Sequence, residues 1–416
     1  MEPDVLVAGA GPVGLALACA LLQHGVSVRV LDRAQAPATT SRANFVHARG
    51  SEVLDRLDAL SGLPEESVRA MTITNYAGDR PMMRVRFGDP GLHTAAPPMV
   101  ISQARVEARL RDRLAELGGR PEWGCALVGA GQDADGVTAA LGDGRTVRAR
   151  WLVGCDGTGS TVRELAGIVE RMRHILPGRT HGLGGRLLDA SWASLFSVHR
   201  RLADTYRQGR ILLAGDSAHA HAPFGGQGML TGIGDAENLA WKLALVIGGL
   251  AGERLLHTYE AERRPLATQV LRGSTAATRM NIAAGPVGRF LRDRVMVPAF
   301  NLPVLQRWTT YTTSQLWVSY RRGPLGGRGS RPRSGDRIAD VACVRADGIR
   351  TRLHAELRGR WAVLADASLF EAARRRLGEH VVHLRPVDPL PAMLVRPDAH
   401  LACTGDPTRW LDGALA

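Results

Sequence analysis

Lysine is almost absent from this chain. Lys242 is the single lysine among 53 basic residues, and the rest are arginine. Aromatic residues are also scarce, with 5 Tyr and 7 Phe in 416 residues, while Gly numbers 48. That bias fits a GC-rich coding sequence better than selection for phosphate contacts. The net charge of +13 therefore does not argue for nucleic acid: the arginines are scattered, and no aromatic-basic motif accompanies them. No nucleic-acid partner is expected, and attraction of an anionic cofactor is the milder reading. Long apolar runs are missing too. The best one, Val13 to Leu22, stops at Gln23 and His24, short of the ~18 residues a spanning helix needs. No membrane partner is expected. Paired cysteines are absent: Cys19, Cys125, Cys155, Cys343 and Cys403 stand apart, with no Cys-x-x-Cys. This excludes the usual zinc and disulfide frames and fits reduced thiols. The opening Met-Glu-Pro-Asp carries no basic n-region, so a cytoplasmic protein is expected. The length allows two or three domains at ~100–200 residues each.

What is present begins with a strand–helix–strand pattern. Asp4 to Ala8 reads as a buried strand, Gly9-Ala-Gly11-Pro12-Val13-Gly14 as a turn, and Leu15 to about Gln23 as a helix. Val26 to Leu31 is a second strand that closes with Asp32-Arg33. In this setting Gly9 permits a tight turn, Gly11 lets backbone approach a pyrophosphate, and Gly14 allows close helix–strand packing. Asp32, 18 residues beyond Gly14, is placed for ribose hydroxyls. The competing reading is a glycine-rich turn in a Rossmann-like domain with no ligand. The motif alone does not separate NAD from FAD.

Further along, residues 71–76 and 82–87 alternate as a hairpin, 105–117 has helical spacing, and 136–138 and 145–153 read as strands. A short helix is expected at 161–165, a strand at 210–214 and a helix at about 232–247. No sheet is legible between Val169 and Gln208. Residues 323–337, rich in Gly, Pro, Ser and Arg, read as a linker. Beyond it, strands at 361–365, 381–384 and 392–395 and a helix at 368–377 make a small α/β unit.

Two later segments separate the cofactors. Gly154-Cys-Asp156-Gly157-Thr-Gly-Ser160-Thr-Val-Arg163, and Gly209-Arg-Ile-Leu-Leu-Ala-Gly215-Asp216 running on to Pro223-Phe-Gly225-Gly226-Gln227-Gly228-Met229, together resemble the group A FAD-dependent monooxygenases. These are para-hydroxybenzoate hydroxylase-like enzymes, and the similarity is to their aromatic polyketide hydroxylase branch. Gly232-Ile-Gly-Asp235-Ala-Glu-Asn238-Leu-Ala-Trp241-Lys242 and Tyr259-Glu-Ala-Glu262-Arg263-Arg264-Pro265 fit as well.

The resemblance implies an α/β fold: a Rossmann-like FAD-binding domain, a reduced middle β-sheet domain and a C-terminal thioredoxin-like domain. It divides the chain into a discontinuous FAD-binding domain (1–70, 100–168, 203–285) and a reduced substrate domain (71–99, 169–202). Connecting helices (286–322), a linker (323–335) and the C-terminal domain (336–416) follow. Asp216 is then expected on the ribityl-pyrophosphate stretch of FAD, with Pro223, Gly226, Gly228, Met229 and Leu230 along the isoalloxazine. Arg42, Gln103 and Leu127 match family positions that touch the cofactor, and Arg33 would lie near the adenosine. Asp156 and Arg163 brace the pyrophosphate region. For each, a turn, packing contact or salt bridge is the alternative. His219 and His221 lack a third ligand nearby, so no metal is expected.

The implied reaction is reduction of FAD by NAD(P)H, addition of O₂ and hydroxyl transfer to an electron-rich polyketide. The cofactor carries the chemistry, so no catalytic side chain is singled out. A reductase without hydroxylation, and a non-redox cyclase or binding protein using FAD structurally, are the alternatives. The chain departs from the family at three places, and the short middle is what keeps these alternatives open. Leu230 stands where relatives usually carry Asn. Only 57 residues, 158 to 214, separate the two late motifs. The tail, matched at Val395-Arg-Pro-Asp398-Ala-His400, has no Cys-x-x-Cys after Trp361, so its role is structural. The thinned middle domain predicts a flavin cleft open on one side, and a homodimer is the arrangement that would cover an apolar face.

Overall fold

The computed structural model describes residues 2–39, 45–68, 72–77, 80–86, 94–95, 97–172, 201–220, 226–282, 285–328 and 331–416. Arg42, His221 and Pro223 lie outside these residues. The architecture is α/β. Its principal sheet has six strands in the order 207–208, 211–213, 151–154, 5–8, 28–31, 121–122. All neighbours run parallel except the Arg207–Gln208 edge strand. The central strands Val5–Ala8 and Trp151–Gly154 are buried along their whole length, as parallel strands covered on both faces must be. The helix Pro12–Gln23 packs on this sheet with eight buried residues in one run, Gly14 to Leu21. That explains a composition apolar all round rather than amphipathic.

The run 145–153, expected as one strand, is two. Thr146–Ala149 closes an antiparallel sheet with Leu127–Gln132 and Val137–Leu141, whereas Trp151–Gly154 enters the parallel sheet. The chain changes sheets at Arg150, which no change of residue type marks. The span from 169 to 208 does contain strand. Glu170–Met172, Arg201–Ala203 and His219–Ala220 form a small antiparallel sheet. Strands of two or three residues, several of them Arg, are too short to show alternation. The hairpin pairs Thr72–Ala77 with Arg80–Arg86 rather than 71–76 with 82–87, so pairing extends to Ala77, Arg80 and Pro81 and the turn is tighter than expected.

The C-terminal unit has six strands in the order 350–352, 342–345, 381–386, 361–364, 393–395, 401–404. Trp361–Leu364, helix Ala367–Leu377 and Val381–Pro386 form a parallel βαβ unit. An antiparallel pair, 393–395 with 401–404, and helix Thr408–Leu415 complete a thioredoxin-like arrangement. The segment read as a linker is packed rather than loose. Leu325 is buried among Trp241, Trp361 and Leu411, and Gly335 is bonded on both sides, to Tyr320 and Leu401.

Buried indoles and buried charge hold this unit on the cofactor domain. Trp241 meets Trp361 edge-on with centroids 5.2 Å apart, and Trp410 continues the contact at 5.9 Å. Arg396 donates to Glu262 (2.8 and 3.0 Å) and to Asp398. Lys242 donates to the same Glu262 at 2.8 Å. Arg49 reaches across to the Asp398 carbonyl at 3.0 Å. Every charge in this cluster is paired, which burial demands.

Candidate functional site

The three glycines of the first turn face different surroundings. Gly9 has φ +106, and a Cβ there would lie 2.4 Å from the Cys155 carbonyl oxygen. A Cβ on Gly14 would lie 1.9 Å from the Gly9 oxygen. Packing therefore demands both. A Cβ on Gly11 would meet nothing within 4 Å. The backbone there borders open space at the start of helix Pro12–Gln23, where first-turn N–H groups and the helix dipole favour an anion. Pro12 opens the helix at a position where the missing N–H costs nothing. Asp32 braces the turn: its carboxylate accepts the N–H of Ala10 (2.7 Å) and of Ala34 (2.8 Å). Arg33 beside it is exposed.

Three elements converge at Val13. A Cβ on Gly215 would come within 2.8 Å of Val13 Cγ2, and one on Gly232 within 2.4 Å. The first helix, the turn Gly215–Ser217 and the helix Gly228–Ile247 thus meet with no space for side chains. Gly215 has φ +66, and Asp216 is exposed on the turn it makes. Gly226, with φ +60, passes beside Phe45 and His47. Met229 and Leu230 are buried, so the start of the second helix offers backbone rather than these side chains. The N-terminal turns of two helices thus lie close together, in contact through Val13 and Gly232. Such a pair suits a molecule with a diphosphate at one end and developing negative charge at the other.

Asp156 and Arg163 both make contacts within the turns around them. Asp156 accepts from Ser160 Oγ (2.5 Å) and the Val162 N–H (3.1 Å); burial raises its pKa from the ordinary value, and these hydrogen bonds oppose the rise. Arg163 donates to the carbonyls of Ser217 and Thr158, both at 2.9 Å, tying the 156–160 turn to the turn that carries Asp216. Gln103 begins helix Gln103–Glu116 and donates to Glu107 at 2.7 Å. Leu127 begins a strand of the second sheet, opposite Leu141. The structure therefore brings Val13 together with Gly215 and Gly232, sets Gly226 beside Phe45 and His47, and puts Gln103 and Leu127 on other elements.

Sequence reasoning missed the group that holds these pieces. Asp235 is fully buried and accepts from the Gly215 N–H (3.0 Å), His219 Nε2 (2.6 Å) and Arg263 Nε (2.6 Å). Burial alone would raise its pKa, but the charges of Arg263 and His219 hold it at about 2. Arg263 also donates to the Thr231 carbonyl (2.8 Å) and to Tyr320 (2.7 Å). One carboxylate thus couples the Asp216 turn to the start of the second helix. Its signal was a carboxylate among the small and apolar residues 232–236 of a helical run. His219 is engaged here, within a helix-anchoring network. Gln315, on a segment without any motif, donates to Thr231 Oγ1 at 2.8 Å.

The open space over Gly11, the two helix starts and the exposed Asp216 fit a dinucleotide such as FAD. The comparisons agree. The family described as FAD binding domain matches residues 2–183 and 170–274. Its two stretches meet where the middle of the chain is short. A 12-dehydrotetracycline 5-monooxygenase/anhydrotetracycline 6-monooxygenase of Streptomyces rimosus is 33% identical, covering 99% of this chain and 97% of that protein. The alignment runs over 501 positions, so that relative carries segments this chain lacks. A rifampicin monooxygenase of Streptomyces venezuelae is 32% identical over 97% of this chain and 96% of that one. Among solved structures, the OxyS anhydrotetracycline hydroxylase from Streptomyces rimosus superposes with a TM-score of 0.81 at 32% identity, covering 98% and 96% of the two chains. With its glycine turn, its Asp216 turn and this similarity along nearly its whole length, the chain belongs to the FAD-dependent monooxygenases, in the branch that includes the aromatic polyketide hydroxylases.

Proposed function

We propose that this chain is an NAD(P)H-dependent FAD monooxygenase that hydroxylates an electron-rich aromatic polyketide in a bacterial biosynthetic route. The observation that carries the reading is the convergence of Gly215 and Gly232 on Val13, next to Gly11, where an added Cβ would meet nothing within 4 Å. When bound, FAD supplies the electron transfer and the oxygen activation. The chain's own residues bind and orient. Gly9 to Gly14 cradle the diphosphate on the first helix N-terminus, with Asp32 and Arg33 toward the adenosine end. Asp216 faces the ribityl-pyrophosphate stretch, with Asp156 and Arg163 fixing the turns around it. Residues 226–230 run along the ring system, and their backbone N–H groups meet its pyrimidine end. Arg42, Gln103, Leu127 and Pro223 complete the proposed contact set.

In this reading residues 1–70, 100–168 and 203–285 form the cofactor domain. Residues 71–99 and 169–202 form a reduced substrate domain, and residues 336–416 a thioredoxin-like support. No helix among the described residues is long and apolar enough to cross a membrane, which fits the proposed cytoplasmic setting and small-molecule substrate. A homodimer is proposed as the working assembly.

The test has two steps. Purified protein reconstituted with FAD is mixed anaerobically with NADPH, and bleaching of the flavin band is followed with and without an aromatic polyketide. Oxygen uptake is then matched to a product 16 mass units heavier, a stated consequence of inserting one oxygen atom. FAD uptake without reduction by NADPH or NADH would remove the redox reading. Reduction without the mass increase would leave a reductase.

A further inference from the structure

Gln315 sits just after helix Pro303–Thr313 and is only 2% exposed, with φ +56. A non-glycine residue in the left-handed region is uncommon. Asn and Asp tolerate that region best, and a long side chain there asks what it is held for. The backbone is fixed locally: Gln315 N–H donates to the Thr312 carbonyl, and its own carbonyl accepts from Val318 N–H. The side chain points elsewhere. Nε2 lies 2.8 Å from Thr231 Oγ1 and 3.3 Å from Gln227 Oε1. Thr231 Oγ1 already donates its own proton to the Gln227 carbonyl at 2.8 Å, so it meets Gln315 as an acceptor. Gln227 is the N-cap of helix Gly228–Ile247, and its own side chain makes no cap hydrogen bond. Position 230 in that first turn is the apolar, buried Leu230.

We infer that Gln315 is a positioning residue for the flavin-facing turn 226–231, its amide fixing the start of helix Gly228–Ile247 from outside the turn. Arg263 holds the same turn by the Thr231 carbonyl. The two ties act on opposite groups of one residue, hydroxyl and carbonyl, and so fix its rotation as well as its place. The inference rests on the FAD reading of that turn.

Two substitutions separate positioning from folding. Gln315→Met keeps length and volume but removes the donor. Thr231 keeps its own bond to Gln227, so no buried donor is stranded, and a water-sized cavity of about 20 Å³ beside Gln315 gives the new side chain room. Gln315→Gly removes the donor and also relieves the left-handed backbone. FAD is titrated into each apoprotein by fluorescence, the bound flavin's visible absorption spectrum is recorded, and apoprotein thermal unfolding is the control. Both variants are expected to bind FAD roughly 3- to 10-fold more weakly, the loss of about one hydrogen bond. Both should show an altered flavin band, with apoprotein melting close to wild type or, for Gly, higher. Wild-type affinity and spectrum in Gln315→Met would overturn the inference. So would weaker binding that tracks a fall in apoprotein stability in both variants. Wild-type protein that takes up no FAD would instead overturn the cofactor reading on which the inference stands.

Discussion

Gly11 and Gly14 belong to one motif but face opposite demands, and alanine tells them apart. At Gly14 the new Cβ would sit 1.9 Å from a backbone oxygen, so helix and turn must separate. A loss of about 1–3 kcal/mol in apoprotein stability is expected, as for other overpacked sites. At Gly11 nothing lies within 4 Å. Gly11→Ala should therefore leave apoprotein melting unchanged and weaken FAD binding at least tenfold, because the methyl occupies the space reserved for the diphosphate. Paired melting and FAD titration check this, and a Gly11→Ala protein with wild-type affinity would move the diphosphate elsewhere. Asp216→Ala is expected to behave like Gly11→Ala, since Asp216 is exposed on its turn. The cysteines are a contrasting case. Burial raises the thiols of Cys343 and Cys403 to about 11 and about 12. They lie on strands four inter-strand steps apart, roughly 19 Å at ~4.8 Å per step, far beyond disulfide reach. Cys343→Ser and Cys403→Ser should each leave turnover unchanged. A large loss in either, with folding intact, would give the tail a redox role.

Between elements, helix Gly228–Ile247 is the piece on which the others depend. Its start carries the proposed cofactor contacts, and its later turns carry Asn238, Trp241 and Lys242 into the seam with the C-terminal unit. Arg396, with no exposure, lies between the carboxylates of Glu262 and Asp398 and stacks over Trp241 at 4.9 Å. Arg396→Met should cost about 3–5 kcal/mol in urea unfolding, because it strands buried carboxylates rather than merely deleting a bond. Acid should act on the same groups. Burial would raise the pKa of Asp235 and of Glu262. Arg263 with His219 holds the first at about 2, and Arg396 with Lys242 holds the second at about 2. Both values lie below those of an unfolded chain, so the unfolded state takes up protons first as pH falls. Their stabilisation is complete above about pH 5 and is lost progressively as pH falls from about 5 through about 2. Asp235→Asn should be less stable at pH 6 yet flatter across that interval, and equal slopes would refute the assignment. Several residues of this network stand in segments the sequence singled out, but their pairing was not legible there. The glycine turn, the Asp216 turn and the strand–helix order were, because each is a local pattern with a fixed period or spacing. Asp235, Arg263, Gln315 and Arg396 act over 28 to 134 positions, and no spacing rule reaches that far. The division of 145–153 between two sheets escaped for a related reason: sheet membership is decided by partners, not by the strand.

At the scale of the whole molecule the shortened middle decides what covers the flavin. Among the described residues this region holds the hairpin Thr72–Ala77 with Arg80–Arg86 and one small three-stranded sheet. Helix Pro303–Thr313 lies against strand Arg80–Arg86; on it Val304 and Trp308 stand 77% and 56% exposed in the single chain, and on helix Gly285–Leu291 Val287 and Phe290 stand 78% and 65% exposed. An apolar face of this kind is costly in water and favours association. A hydroxylase also needs its reacting centre dry, since water there promotes loss of activated oxygen as hydrogen peroxide. The two demands have one solution if a second copy, or a large substrate, closes the open side. Two outcomes are therefore expected together. At micromolar concentration the protein should sediment as a dimer, and Phe290→Glu with Trp308→Glu should make it a monomer. NADPH oxidation without substrate, or with a small phenol, should yield mostly peroxide, and a multi-ring aromatic should lower the peroxide-to-NADPH ratio several-fold. Phe290 and Trp308 lie outside the proposed cofactor contacts, so the doubly substituted monomer should still bind FAD. Its rise in peroxide would then report loss of cover rather than loss of the flavin. Tight coupling in a monomer with a small phenol would show that the short middle region closes the site by itself.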